Sequence, residues 1–249
     1  MVHRTPVRHY KTIDSTNLEA RRLHDAGERG PLWLVSDEQT GGRGRLGRNW
    51  ISPRGNLYST LLLPVAAQQA IVPQLGFVVA LAVRNALSTF VPTAVIQLKW
   101  PNDCLAGGAK ISGILSEVLA PGVLAIGCGI NVEHAPEGLR YPATSLRKLG
   151  SSASVNEVFA AYRAAFSSVL ALWRDGAGFG AVREQWQSHA IGVGERVAVS
   201  TEEIMVEGIY TGIADDGALL LTRSDGRQQT FHAGELCIPS LKAARETTA

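Results

Sequence analysis

The chain is short of cysteine, of net charge and of long apolar runs, and each shortage excludes a class of protein. Its three cysteines, Cys104, Cys128 and Cys237, lie far apart. No pair has metal-ligand or redox spacing, and an odd number argues against a disulfide framework, so they read as reduced structural thiols. A formal charge of +2 over 249 residues excludes a polyelectrolyte that grips nucleic acid by its overall field, so any basic patch must be local. No apolar run reaches membrane-spanning length, and residues 1–6 lack the apolar core of a secretory signal. There is no internal repeat and no low-complexity tract. These absences predict a cytoplasmic protein that stays off membranes. What remains is 45% apolar and long enough for one large domain, or for a main domain with a small appendage.

The densest feature is the run Gly41-Gly42-Arg43-Gly44-Arg45-Leu46-Gly47-Arg48-Asn49-Trp50. Its glycines loosen the backbone and let main-chain N–H groups approach a ligand. Its arginines offer planar charged forks to phosphate or carboxylate. Alone, the run fits either an anion-binding enzyme loop or an RGG-like nucleic-acid segment. Its flanks are apolar, 32–36 and 57–63, and read as buried strands, so the loop is rooted in a sheet at both ends. Upstream, Asp14-Ser15-Thr16-Asn17 precedes a helix stopped by Gly27 and Gly30-Pro31. Capping explains these residues, and contact with a small ligand at the positive end of a helix is the alternative. Downstream come an apolar helix over 75–90 and a strand over 95–100 that stops at Pro101, with Asn102 and Asp103 at the turn. A hairpin follows, 110–119 and 123–132 about Pro121-Gly122, then an amphipathic helix over 155–173 and a short one over 179–190. From Gly192 the period changes, and short alternating runs predict a small antiparallel barrel.

Taken in order, Asp14-Ser15-Thr16-Asn17, Gln39 with Gly42 to Trp50, Lys99-Trp100-Pro101-Asn102-Asp103, Lys110 with Gly113, and Gly129-Ile130-Asn131 resemble the biotin–protein ligases (biotin–[acetyl-CoA-carboxylase] ligases). GRGRxGRxW followed by KWPND and a lysine is highly specific as a set, and weak in any single part. The resemblance runs from about Asp14 to the terminal barrel. It implies an α+β fold, a mixed β-sheet with flanking helices akin to class II aminoacyl-tRNA synthetases, then a small C-terminal SH3-like β-barrel. The division would fall at 1–191 and 192–249. The implied reaction uses ATP and Mg2+. Biotin's carboxylate attacks the α-phosphorus, giving biotinyl-5′-AMP and pyrophosphate. A lysine amine of a biotin carboxyl carrier protein then takes the biotinyl group and releases AMP.

The resemblance also implies roles. Ser15, Thr16, Asn17, Gln39, Arg43, Gly44, Arg45 and Lys110 would bind biotin. Arg45, Arg48, Trp50, Asn102, Lys110 and Asn131 would face the nucleotide, with Trp50 stacked on adenine. Lys110, Arg45 and Asp103 form the expected catalytic set, and Asp103 also stands on the metal side and would orient or deprotonate the acceptor lysine. These residue types suit a step that joins two anions, because their repulsion must be cancelled. Three close arginines repel one another, so the empty loop is expected to be disordered and to close as a lid once carboxylate and phosphate neutralise it.

Two departures stand out. Leu46 occupies a loop position where many members carry a charge, and Ala233 replaces the first glycine of the family's Gly-Gly-Glu, so Ala233-Gly234-Glu235 stays outside the expected site. About a dozen residues precede Asp14, too few for the DNA-reading domain of bifunctional members, so no DNA partner is expected. Monomer and homodimer are both compatible with the family. The rival readings are a lipoyl-protein ligase of the same superfamily, whose loop pattern differs, and a non-enzymatic nucleic-acid-binding protein.

Overall fold

Alternation of side chains across strands decides how this chain is layered. In β2 (Leu32–Ser36) and β3 (Leu57–Pro64) almost every residue is buried, so the sheet they form is covered on both faces. Leu32, Leu34 and Leu62 point to one side, where Ala20 of α1 (Thr16–Asp25) covers them. Trp33, Val35, Leu57 and Leu61 point to the other, into the main core. That core is covered by α2 (Gln74–Phe90), α3 (Val155–Trp173) and α4 (Phe179–Gln187). Trp33 meets the rings of Phe159, Tyr162 and Phe166 edge-on at 5.5, 5.5 and 5.9 Å, which ties the sheet to α3. The computed structural model describes residues 5–66, 72–139 and 141–241.

The full main sheet adds β1 (Val7–Tyr10), β4 (Ile96–Lys99), β5 (Asp103–Ala106), β6 (Ala109–Ala120) and β7 (Val123–Ile130). Its order is β1-β2-β3-β7-β6-β5-β4. Only β1 and β2 run parallel, so the sheet is mixed, as expected. The Pro121-Gly122 hairpin forms, and the loop of residues 37–56 joins neighbouring antiparallel strands β2 and β3. Two strands are absent from the reading of the sequence. β1 is a polar edge strand whose hydrogen bonds to β2, rather than apolar pattern, hold it in place. β5 begins at Asp103, which the sequence assigns to a turn; the turn is one residue shorter than the polar run suggests.

The C-terminal segment forms β8 (Arg196–Ser200), β9 (Met205–Ile213), β10 (Leu219–Thr222), β11 (Gln228–Phe231) and β12 (Glu235–Cys237). They make an all-antiparallel five-stranded sheet, order β11-β10-β9-β8-β12. β9 alternates exposed and buried residues, the pattern of a strand with one wet face. Its inner residues Tyr210 and Ile213 belong to the same apolar cluster as the main sheet. Arg183 of α4 pairs with Asp215, and Ile213 N–H donates to Gln187 at 2.7 Å, so α4 is the strut between the two sheets. Among the described residues no helix is long and apolar enough to cross a membrane.

Candidate active site

A cavity of about 520 Å³ opens between the α1 side of the main sheet and β12. Every residue expected at the site except Asn131 lines it: Ser15, Thr16, Asn17, Gln39, Arg43, Gly44, Arg45, Arg48, Trp50, Asn102, Asp103 and Lys110. Asn131 is buried just behind, bordering a second pocket of about 30 Å³ that shares Trp50, Lys110 and Tyr141 with the first.

One end of the cavity is polar and buried. Ser15 occupies the N-cap position of α1, yet its side chain makes no capping bond and it is only 3% exposed. Capping therefore does not account for it. Thr16 N–H donates to Gln39 Oε1 at 2.9 Å, Gln39 Nε2 donates to Ser52 Oγ at 3.0 Å, and Ser52 Oγ donates to the Trp50 carbonyl at 2.8 Å. The Thr60 hydroxyl lies 2.6 Å from Asn17 Oδ1 and 2.8 Å from Thr16 Oγ1. Asn17 can lie across β7 only because Gly127 has no side chain: a Cβ there would overlap Asn17 Oδ1.

The other end is aromatic and cationic. Gly113 of β6 and Gly129 of β7 are directly paired across the strands, leaving a bare patch of backbone. The Trp50 ring lies on that patch, so a Cβ would stand 2.9 Å from the ring at Gly113 and 2.6 Å at Gly129. Lys110 Nζ is 5.4 Å from the centroids of both Trp50 and Tyr141, within reach for cation–π attraction. It is also 2.6 Å from Asp103 Oδ1. This approach lies off the direction of a hydrogen bond, so Asp103 Oδ1 is an ion-pair partner without an aligned donor. The pair exists because of a bulge. Asp103 faces Gly113 and Cys104 faces Ser112, but Leu105 faces Lys110, so Ile111 is an extra residue in β6. The extra residue brings Lys110 and Gly113, three apart, to the same cavity.

The glycine-arginine loop is folded rather than disordered. Gly44 N–H donates to the Arg48 carbonyl at 2.7 Å and Trp50 N–H to the Gly42 carbonyl at 2.9 Å, around a short 3-10 turn, Arg45–Gly47. The expected mutual repulsion is relieved because each arginine has a separate acceptor. Arg43 lies 3.7 Å from Glu117, Arg45 donates to Asn102 and to the Gly234 carbonyl at 3.3 Å each, and Arg48 donates to Glu235 at 2.6 Å. Burial lowers the pKa of the Arg45 guanidinium, opposed by the charges of Asp103 and Glu235. The hydrogen bond from Arg48 holds the Glu235 carboxyl below its ordinary 4.5, against the opposing effect of burial. Leu46, at the tip, is 67% exposed and has φ 55°, a left-handed conformation that is costly for leucine.

The sequence reading missed several residues here. Gly234 and Glu235 sit on the loop, although Ala233 had set that motif aside. Tyr141 lies in an irregular stretch without periodicity, and nothing in the sequence marks it. Glu117, Ser52 and Thr60 look like ordinary strand or loop residues, and only the register of the sheet brings them in.

A mixed sheet carrying a polar pocket, a flanking aromatic wall and a cluster of arginines and lysine suits chemistry that joins a carboxylate to a phosphate. Similarity to known proteins makes this particular. Residues 10–132 match the Biotin/lipoate A/B protein ligase family, and residues 192–236 the Biotin protein ligase C terminal domain. The chain is 38% identical over 229 residues to a biotin–[acetyl-CoA-carboxylase] ligase of Paracoccus denitrificans, covering 86% of this chain and 93% of that protein. It is 35% identical over 212 residues to the ligase of the same name from Mycobacterium tuberculosis, covering 82% and 77%. The structure of the Aquifex aeolicus biotin protein ligase in complex with biotin and ATP superposes with a TM-score of 0.80 at 30% identity, covering 93% and 97%. The chain belongs to the biotin protein ligase family.

Proposed function

We propose that this protein is an ATP-dependent ligase that activates biotin as biotinyl-5′-AMP and transfers it to a lysine of a biotin carboxyl carrier domain. The observation that carries this reading is the division of the cavity. Its neutral end, buried Ser15, Thr16 and Asn17 beside Gln39, suits an uncharged, hydrogen-bonding ring system such as biotin's, and its cationic end, Arg43, Arg45 and Lys110, suits a carboxylate meeting a phosphate.

In the first step the biotin carboxylate is already a nucleophile and needs no base. One of its oxygens bonds to the α-phosphorus as the bond to pyrophosphate breaks. Arg43, Arg45 and Lys110 offset the charge that accumulates between the two anions. Each charge-assisted hydrogen bond contributes roughly 1.5–3 kcal/mol. Trp50, supported on Gly113 and Gly129, offers its free face to the adenine, with Asn131 behind it. Arg48 and Asn102 stand along the same side. In the second step the acceptor amine attacks the biotinyl carbonyl and AMP leaves. That amine must shed a proton, and Asp103 is the carboxylate beside Lys110 that can receive it.

Among the described residues no three His, Cys, Asp or Glu side chains converge on a metal site. Mg2+ would arrive on the phosphates of ATP and spread their charge, with Asp103 as the side chain that would hold it.

Biotin-dependent exchange of labelled pyrophosphate into ATP tests the first step, and labelling of a carrier domain tests the second. Exchange that lipoate supports and biotin does not would replace this reading with that of a lipoyl ligase. The identity to biotin–[acetyl-CoA-carboxylase] ligases favours biotin.

A further inference from the structure

The structure assigns a positioning role to Glu117, a residue of β6 outside the cavity wall, which fixes the orientation of the Asn17 amide and shares its charge with Arg43 of the loop. This rests on the function proposed above. Glu117 Oε2 accepts from Asn17 Nδ2 at 2.7 Å and lies 3.7 Å from Arg43 Nη2, so one oxygen serves both. The carboxylate can only accept, so it dictates that Asn17 turns its Nδ2 toward β6 and its Oδ1 toward Thr60, 2.6 Å away. The Leu115 carbonyl, 3.1 Å from the same Nδ2, supports this choice. Without Glu117 the reversed amide would place its oxygen beside a carbonyl, but the neutral Leu115 group alone enforces the choice weakly. Asn17 is only 5% exposed, and an inverted amide would reverse donor and acceptor within the polar pocket.

The connection extends across the site. From Arg43 it runs through Glu117, Asn17, the Thr60 and Thr16 hydroxyls, the Thr16 backbone N–H, Gln39 and Ser52 to the Trp50 carbonyl. It thus enters the glycine-arginine loop near its first glycines and leaves at its last residue. A change in the polar pocket reaches both ends of the loop through a contiguous path of hydrogen bonds closed by the Arg43–Glu117 ion pair. Glu117 is where that chain passes from amides and hydroxyls to an ion pair.

The test is steady-state pyrophosphate exchange by Glu117→Ala, Glu117→Gln, Asn17→Ala and Asn17→Ala/Glu117→Ala, beside the unaltered protein. Glu117→Ala is expected to raise the KM for biotin about tenfold and to leave the KM for ATP within about twofold. Glu117→Gln, whose amide oxygen can still accept from Asn17, is expected to recover most of the biotin KM. The double variant is expected to bind biotin no worse than Asn17→Ala alone, because the two act in series. Equal rises in both KM values, additive effects in the double variant, or a lower Tm with both KM values unchanged would overturn the role. Absence of biotin-dependent exchange in the unaltered protein would instead overturn the proposed function itself.

Discussion

Gly127 and Gly129 stand two residues apart on β7, and each makes room for a different side chain of the cavity. A Cβ at Gly127 would strike Asn17, and one at Gly129 would strike Trp50, the first on the polar end of the cavity and the second on the aromatic end. Their alanine variants should therefore separate. Gly127→Ala is expected to raise the KM for biotin on the order of tenfold, and Gly129→Ala the KM for ATP by a similar factor, each with a smaller effect on the other substrate. Pyrophosphate exchange with one substrate varied at a time checks both. Much at this scale could be read directly. The loop arginines, Lys110 and Asp103 all line one cavity; the dense arginine run is visible in itself, whereas Lys110 and Asp103 are singled out by the family resemblance. Glu117 and Tyr141 could not, because their parts depend on which strand lies beside which.

The contact between the loop and β12 is a matter of elements. Arg45 and Arg48 reach the Gly234 carbonyl and Glu235, so the last strand of the small sheet fastens a loop rooted in the large one. Glu235 has a depressed pKa, so its contribution is present above its ordinary 4.5 and is lost as pH falls through its lowered value in the folded protein. Both partners are about half exposed, 55% and 44%, so the pair is worth only about 0.5 kcal/mol. Glu235→Gln is expected to lower Tm by about 1–2 °C at neutral pH, and the gap should close in acid, well below pH 4.5. Calorimetric scans across that range measure it. The elements themselves were largely legible: apolar runs gave β2, β3 and the β6–β7 hairpin, and helical spacing gave α3. β1 was not, since a polar four-residue edge strand has no apolar pattern to betray it. The bulge at Ile111 was not either, because it appears only when β6 is set against β5.

At the scale of the whole molecule, the two sheets share one apolar cluster. Phe77 of α2 meets Phe179 at 5.5 Å and Trp186 at 5.0 Å, and its ring abuts Gly217 just before β10. Phe77→Ala is expected to cost about 3–5 kcal/mol and to lower the unfolding of both sheets together. Far- and near-ultraviolet circular dichroism should then follow one shifted transition; two separated transitions would mean the sheets unfold independently. The small antiparallel module followed from the change of period along the chain, and the mixed α+β fold from the family resemblance. Their shared core did not, because apolar residues announce burial without naming what they are buried against.

The aromatic floor has an optical consequence. Of the five tryptophans, Trp33, Trp100, Trp173 and Trp186 are each no more than 2% exposed, whereas Trp50 is partly open to solvent. Collisional quenching of fluorescence by acrylamide should therefore sample Trp50 almost alone. Addition of ATP with biotin is expected to suppress that quenching as adenine covers the exposed face. A single quencher-accessible indole resting on two glycines makes the protein its own titration probe, with no label attached.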